Sequence, residues 1–491
     1  MSELPAESEP GLPPELVDLV RTWFGPRAEE VLEAIRQSGM DPNALLEAMG
    51  LTGSRAEISR MVKQIAHMIQ TGSPDGAINW DLAHDAARKA SLLEGADPVV
   101  AASQTAVVDE AFKVADLWLD QATEFTSTGR APVALSAAGW VEATLPRWRQ
   151  VTTPVANSLT RAMTSLMERH AQEHPAAAET ARDTSRVLLP MVGSLFGLQL
   201  GQALGQLSRE VFGYTDTGLP LADPGTTAML PAAVKSFADD LQLPDTEVRL
   251  FLAARESAHA RLFRRVPWLA DHLYGAVEAY ASEISIDLER LEAAFQDADM
   301  NDPRSLRDAI SSGVVAPALT ERQRSALDRL ETALALVEGW VDQVTQSALD
   351  QNLPDLNSLR EMTRRRRAEG GPAEHTLATL VGLELRPRRA RQASELWQSV
   401  TDRAGPAGRE AVWSHPDLLP GSDDLDHPEA FWDLRQARLE VDAAFDAEVA
   451  AFLDQPAAGE AARPDAGPDA DSGAVGPSSA DDQDGPDAGK G

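Results

Sequence analysis

Residues 245–266, DTEVRLFLAARESAHARLFRRV, restrict the fold more than any other part of this chain. Pro244 and Asp245 start a helix there, and Pro267 stops it. With ~100° per residue measured from Arg255, the side chains of Val248, Phe251, Leu252, Ala258, Leu262, Phe263 and Val266 fall within about 80° of one direction. Arg255 stands at the centre of that apolar stripe, His259 about 40° from it, and Glu256 on its rim near 100°. A guanidinium inside a helical core is costly unless a carboxylate and other acceptors meet it. The chain must therefore bring an acidic side chain from another element to the middle of this helix. Arg249, Arg261 and Arg264 lie on the far side and are expected in water.

A second helix supplies the acid. In SALDRLETALALVEGWVDQV, residues 325–344, the apolar stripe runs through Leu327, Leu330, Leu334, Val337 and Val341. Glu338 falls about 40° from its centre and Asp342 about 80°. A glutamate on an apolar stripe has the same difficulty as Arg255, so the economical expectation is that Glu338 faces Arg255 and His259. Glu278, closer in sequence, is the alternative partner.

Helical spacing recurs along nearly the whole chain, and no convincing alternating strand is found, so the expected class is all-α. Residues 1–13 read as disordered, 14–74 as a small helical region, 75–454 as the principal helical domain, and 455–491 as a disordered tail rich in Pro, Ala, Asp and Gly. Asn79 is the expected N-cap of a helix beginning at Trp80. Long helices are expected at 97–125 and 136–173, then one carrying a glycine repeat and ending near Gly213. Others follow at 230–241, 269–282, 286–297, 303–312, 320–350, 355–368, 373–383, 389–402, 407–413 and 428–454.

Residues 187–208 carry no charge and place Gly193, Gly197, Gly201 and Gly205 four apart. Pro190, Gln199, Gln202 and Gln206 argue for a buried helix in close contact with a neighbour rather than a membrane span. The first residues lack a basic segment followed by an apolar one, so no secretory signal is expected and the cytoplasm is the expected location.

Cysteine is absent among the 491 residues, which excludes disulfides, thiolate zinc sites and cysteine nucleophiles. A net charge of −33 argues against binding to nucleic acid or anionic membrane. No phosphate loop, serine elbow or dinucleotide fingerprint occurs.

Helical His-Glu-x-x-His binds zinc through two histidines one turn apart, and its glutamate activates the metal-bound water. The corresponding residues here are Arg255-Glu256-Ser257-Ala258-His259. The base position, Glu256, and the second ligand, His259, survive, but Arg255 has no lone pair for a metal. Glu338 is either a third ligand or an ion-pair partner. Two arginine clusters, Arg364 to Arg367 and Arg386, Arg388, Arg389 and Arg391, read as solvated helix ends with ion pairs, or as a carboxylate-binding subsite. His84, His272 and His375 have no partner at ligand spacing.

Several segments together resemble the zincin-like metallopeptidase family: INWDLA (78–83), GWVEATLPRW (139–148), GLPLADPGTTAMLPAAV (218–234), VRLFLAARESAHARLFRRVPWL, ALVEGWVD, RRRRAEGGPAEHTLATLVGLELRPRR and VWSHPDLLP (412–420). The resemblance spans roughly residues 75–425. It implies a mostly helical domain with a zincin-like active-site helix, Glu256 as general base and His259 as zinc ligand. This chain resembles the branch of the family in which Arg replaces the first histidine. Two functions follow. One is a zinc-dependent hydrolase of peptide or protein substrates, its metal held by His259, Glu338 and one of Glu278 or Asp342. The other is an inactive pseudo-peptidase that binds peptides or partners, with the same residues forming a buried ion-pair network. The family label favours the first, and the chemistry of Arg255 the second.

Overall fold

A computed structural model of the chain describes residues 78–92, 99–173, 178–283, 319–370 and 389–453, with isolated positions at 17, 375, 378 and 382. The expected N-terminal disorder and small helical region, the helices at 286–297 and 303–312, most of 373–383, and the acidic tail lie outside the described residues. The elements, in order, are α1 (Trp80–Leu92), α2 (Ala102–Leu119), β1 (Val133–Ala134), α3 (Ala137–Glu173), α4 (Ala178–Glu210), β2 (Ala228–Met229) and α5 (Pro231–Leu241). They continue with α6 (Asp245–Arg265), α7 (Pro267–Ser282), α8 (Glu321–Leu349), α9 (Leu356–Glu369), α10 (Ala390–Ala411), α11 (Ser422–Asp426) and α12 (Phe431–Leu453). The described chain is thus a multi-helix, all-α protein.

Two very short strands accompany the helices. β1 and β2 pair in parallel, Val133 opposite Ala228 and Ala134 opposite Met229. Two residues each are too few for a period of two to register in sequence. Two helices also end earlier than their periodicity suggests. α2 stops at Leu119 and α4 at Glu210, because the segments that follow turn back toward α6. Gly405, at φ 70°, kinks α10 between the two helical pieces expected there.

Glycine spacing sets the α1–α4 contact. A Cβ at Gly197, Gly201 or Gly205 would lie 2.6, 2.1 and 2.4 Å from the carbonyl oxygens of Asn79, Ala83 and Ala87. Only glycine lets the backbones approach so closely. The repeat is therefore a packing face, and no described helix is long and apolar enough to cross a membrane. Asn79 Oδ1 accepts from the Leu82 N–H at 3.1 Å, as an N-cap should.

α6 lies at the centre, packed against α2, α5, α7 and α8. Every residue from Phe251 to Phe263 is buried, so the helix is not amphipathic, as its sequence suggested, but covered all round. Arg261 is correspondingly 0% exposed rather than in water. It donates to the Asp116 carboxylate (2.8 Å) and to the carbonyls of Asp116 and Phe125 (both 3.0 Å), and pairs with Asp120. This places its charge on the C-terminal end of α2, where a cation is favourable. Residues through Asp433 form one unit, and residues from Leu434 belong to a second, of which the described part is helical with Leu434, Val441 and Phe445 exposed.

Candidate functional site

Glu338, from the middle of α8, meets the helix that carries the motif. Its Oε2 accepts from Arg255 Nη2 at 2.6 Å, and its Oε1 lies 3.0 Å from His259 Nε2. Arg367 Nη1, from the last turn of α9, reaches the same Oε1. The other ring nitrogen of His259 donates to the Arg255 carbonyl at 2.8 Å, so both nitrogens are engaged by oxygens of the protein itself. Burial alone would raise the Glu338 pKa, but the charges of Arg367, His259 and Arg255 outweigh it and hold the carboxyl well below the usual range.

Gly339, which follows Glu338, fixes the other side of α8. A Cβ at Gly339 would lie 2.6 Å from atoms of Ala393 and Ser394, so glycine lets α8 sit directly on α10. Trp340, the next residue, is fully buried and donates to Glu410 at 3.3 Å.

Glu256 does not face this centre in the manner of a free base. Its Oε1 accepts from the N–H groups of Tyr214 (2.9 Å) and Ala228 (3.3 Å). Its Oε2 accepts from the Thr215 N–H (3.2 Å) and the Thr215 hydroxyl (2.5 Å). A carboxylate offers about four lone-pair positions, and all four are answered. Gly213 makes the approach possible, since a Cβ there would lie 2.7 Å from the Glu256 carboxyl carbon. Burial pushes the Glu256 pKa up, and the bonds from Thr215, Tyr214 and Ala228 only partly offset it. Glu256 thus ties the turn after α4 to the start of β2.

The remaining candidates separate. Asp342 is held by Arg360 through Nε (3.1 Å) and Nη2 (2.7 Å), by Arg364 (2.6 Å) and by the Ser394 hydroxyl (2.9 Å). Burial opposes its ionisation, but Arg360 and Arg364 lower its pKa. Asp342 belongs to the ion network one turn beyond Glu338 and does not reach His259. Glu278 is exposed on α7 and takes no part. His84 lies 2.8 Å from Glu142, and His272 stacks edge-on against Trp268, both away from α6's polar face.

The arginine run of α9 makes the ion pairs its sequence suggests, and three of its members are held in the structure rather than solvated. Arg364 serves Asp342, Arg366 donates to Asp216 (3.0 Å) and lies 4.2 Å over the Phe212 ring, and Arg367 bridges Glu338 and the Asp216 carbonyl (2.7 Å). Of the second cluster, Arg389 binds Ser422 and Asp426. Asp216 was missed in sequence altogether. Burial opposes its ionisation too, yet Arg366 and Arg367 lower its pKa. The acidic partners needed by so many consecutive arginines were the available signal; which acids they were depended on the fold.

A cavity of about 20 Å³ lies among Gly213, Asp216, Met229, Arg255, His259 and Arg367. It is large enough for about one water. Zinc does not fit this donor set. Arg255 has no lone pair, Glu256 is saturated, His259 Nε2 is paired with Glu338, and among the described residues no group of three His, Cys, Asp or Glu could hold a metal ion.

The fold is similar to a crystal structure from Chloroflexus aurantiacus, provisionally assigned as a hydrolase with a novel fold. The two share 20% identity at a TM-score of 0.50, over 72% of this chain and 97% of that one. No curated protein matches. The model of the zincin-like metallopeptidase family, hydrolase-type proteins that in general bind zinc, matches residues 78–432, and the chain belongs to that family.

Proposed function

We propose that this chain is a metal-free, peptide- or partner-binding member of its family, in which the hydrolytic centre has become a guanidinium–carboxylate lock. One observation carries the reading: every group the chemistry would need is already bound by the protein. Arg255 stands in the first ligand position with its own cation turned onto Glu338. Both nitrogens of His259 and all four acceptor positions of Glu256 are engaged. Glu256 in this reading is a clamp on the 213–215 turn, not a base, and Glu338 neutralises buried cations instead of holding a metal.

The hydrolase reading draws on family membership and on the 3.0 Å approach of His259 to Glu338. It requires Arg255 and Arg367 to leave Glu338, which would strand two buried cations. Zinc retention separates the two. The full chain, dialysed against trace zinc, should hold none in stoichiometric amount, with or without His259→Ala. About one equivalent in the wild type, lost on His259→Ala, would overturn the proposal.

A further inference from the structure

The other flank of α6 carries a cavity that the ion network does not touch. It has a volume of about 320 Å³ and lies between α2, the loop that leads into β1, and Ser257. Pockets that hold small ligands run from roughly 300 to 1,000 Å³, so this one suits a compact molecule. Ser257 is 3% exposed and lines the cavity, and among the described residues its hydroxyl makes no hydrogen bond. The hydroxyl is open to the cavity rather than sealed in the core, so a ligand's polar group can complete its bonding there. Phe112, 3% exposed, provides apolar wall beside it.

The charges around the opening specify the ligand's polarity. Asp109 and Asp116 stand on α2, with Lys113 paired to Asp109. Arg130 stands on the loop, bonded to the Thr226 hydroxyl at 3.0 Å, and among the described residues no carboxylate pairs with it. Asp116 uses one acceptor position on each oxygen, for Arg261 and for Ser127 (2.7 Å), and keeps the others. The lining thus has two acids and two bases, balanced in a chain of net charge −33, with a free cation on one wall and spare carboxylate acceptors on the other. A polyanion or polycation is poorly matched to such a lining. A molecule with one ammonium and one carboxylate matches it.

We infer that this cavity binds a small zwitterion of amino-acid or dipeptide size. Its carboxylate lies on Arg130, its ammonium on Asp116 and Asp109, its side chain against Phe112, and a central polar group on Ser257. The site is separate from the ion network, so zinc retention tests the proposal above and zwitterion binding tests this one.

Calorimetry or ligand-observed NMR on the full chain is the test, with alanyl-phenylalanine, its N-acetyl derivative and its C-terminal amide as probes. The free dipeptide should bind, and blocking either end should weaken it by about tenfold or more. Arg130→Ala, an exposed change that leaves the core untouched, should weaken the free dipeptide by a similar factor and leave the amide unaffected. Ser257→Phe, which fills the cavity, should abolish binding. Absence of binding at millimolar dipeptide would overturn the inference. So would equal affinity for the blocked forms, or an Arg130→Ala variant that binds the dipeptide as the wild type does.

Discussion

Glu256 and Ser257 are neighbours on α6, and their environments are opposite. On the Glu256 flank, four donors meet one carboxylate, and a turn away two guanidinium groups and an imidazole converge on Glu338. On the Ser257 flank, a hydroxyl with no hydrogen bond among the described residues faces about 320 Å³ of open volume. The flank that carries the family's motif is closed by its own side chains, and the flank without a motif retains unused hydrogen-bonding capacity. Binding capacity follows unsatisfied polar atoms beside free volume, and a motif whose atoms are all engaged by the protein offers none.

The largest expected effect tests the closed flank. Glu338→Ala removes the carboxylate that Arg255, His259 and Arg367 share, and should destabilise the protein by about 3–5 kcal/mol, measured as a fall in the urea midpoint. An unchanged midpoint would mean that the cations find other partners and the lock is incidental.

Acid titration should show the same flank. Glu338, Asp342 and Asp216 have folded pKa values below their unfolded ones. Such groups stabilise the fold above their unfolded pKa, roughly 4, and that stability is lost as pH falls through the folded values. Glu256, shifted upward, acts in the other direction: its contribution is present at low pH and is lost as pH rises through its folded pKa. Urea midpoints should therefore drop below about pH 4, and Glu338→Gln should show a shallower drop. Identical acid limbs in the two proteins would remove Glu338 from the account.

A smaller effect is expected at Glu256. Gln in its place turns a donor toward N–H groups that need an acceptor, at a cost of about 1–3 kcal/mol. A free catalytic base would tolerate Gln far better, so a neutral result would reopen the hydrolase reading. The smallest effect is expected one residue on. Ser257→Ala breaks no bond and should change stability by less than about 0.5 kcal/mol, measured in the same denaturation series. A large loss there would show that Ser257 has a partner within the fold and would erase the contrast between the flanks.

Much of this was legible before any coordinates. Pro244 and Pro267 bound α6 as expected, the glycine repeat predicted a close helix contact, and the positions of Arg255 and Glu338 on apolar stripes anticipated their meeting across 83 residues. Arg261 was misread because a helical wheel assigns one face to solvent. α6 is covered on all sides, and a cation there is held by the end of α2. Glu278 and Asp342 were the secondary acids beside Glu338 in sequence, and the structure leaves one exposed and gives the other to Arg360 and Arg364.

By itself, then, the order of residues determined that this chain is helical and that a buried guanidinium on α6 needs an acid. Periodicity reports which face a side chain occupies, and burying a charge carries a penalty whatever the fold. Only the tertiary structure decided that Arg367 and Asp216 join the centre and that Glu256 closes onto the 213–215 turn. It alone placed open volume next to Ser257. Those outcomes depend on distances between elements far apart in the chain, to a precision of about one hydrogen bond, and no one-dimensional pattern contains such distances.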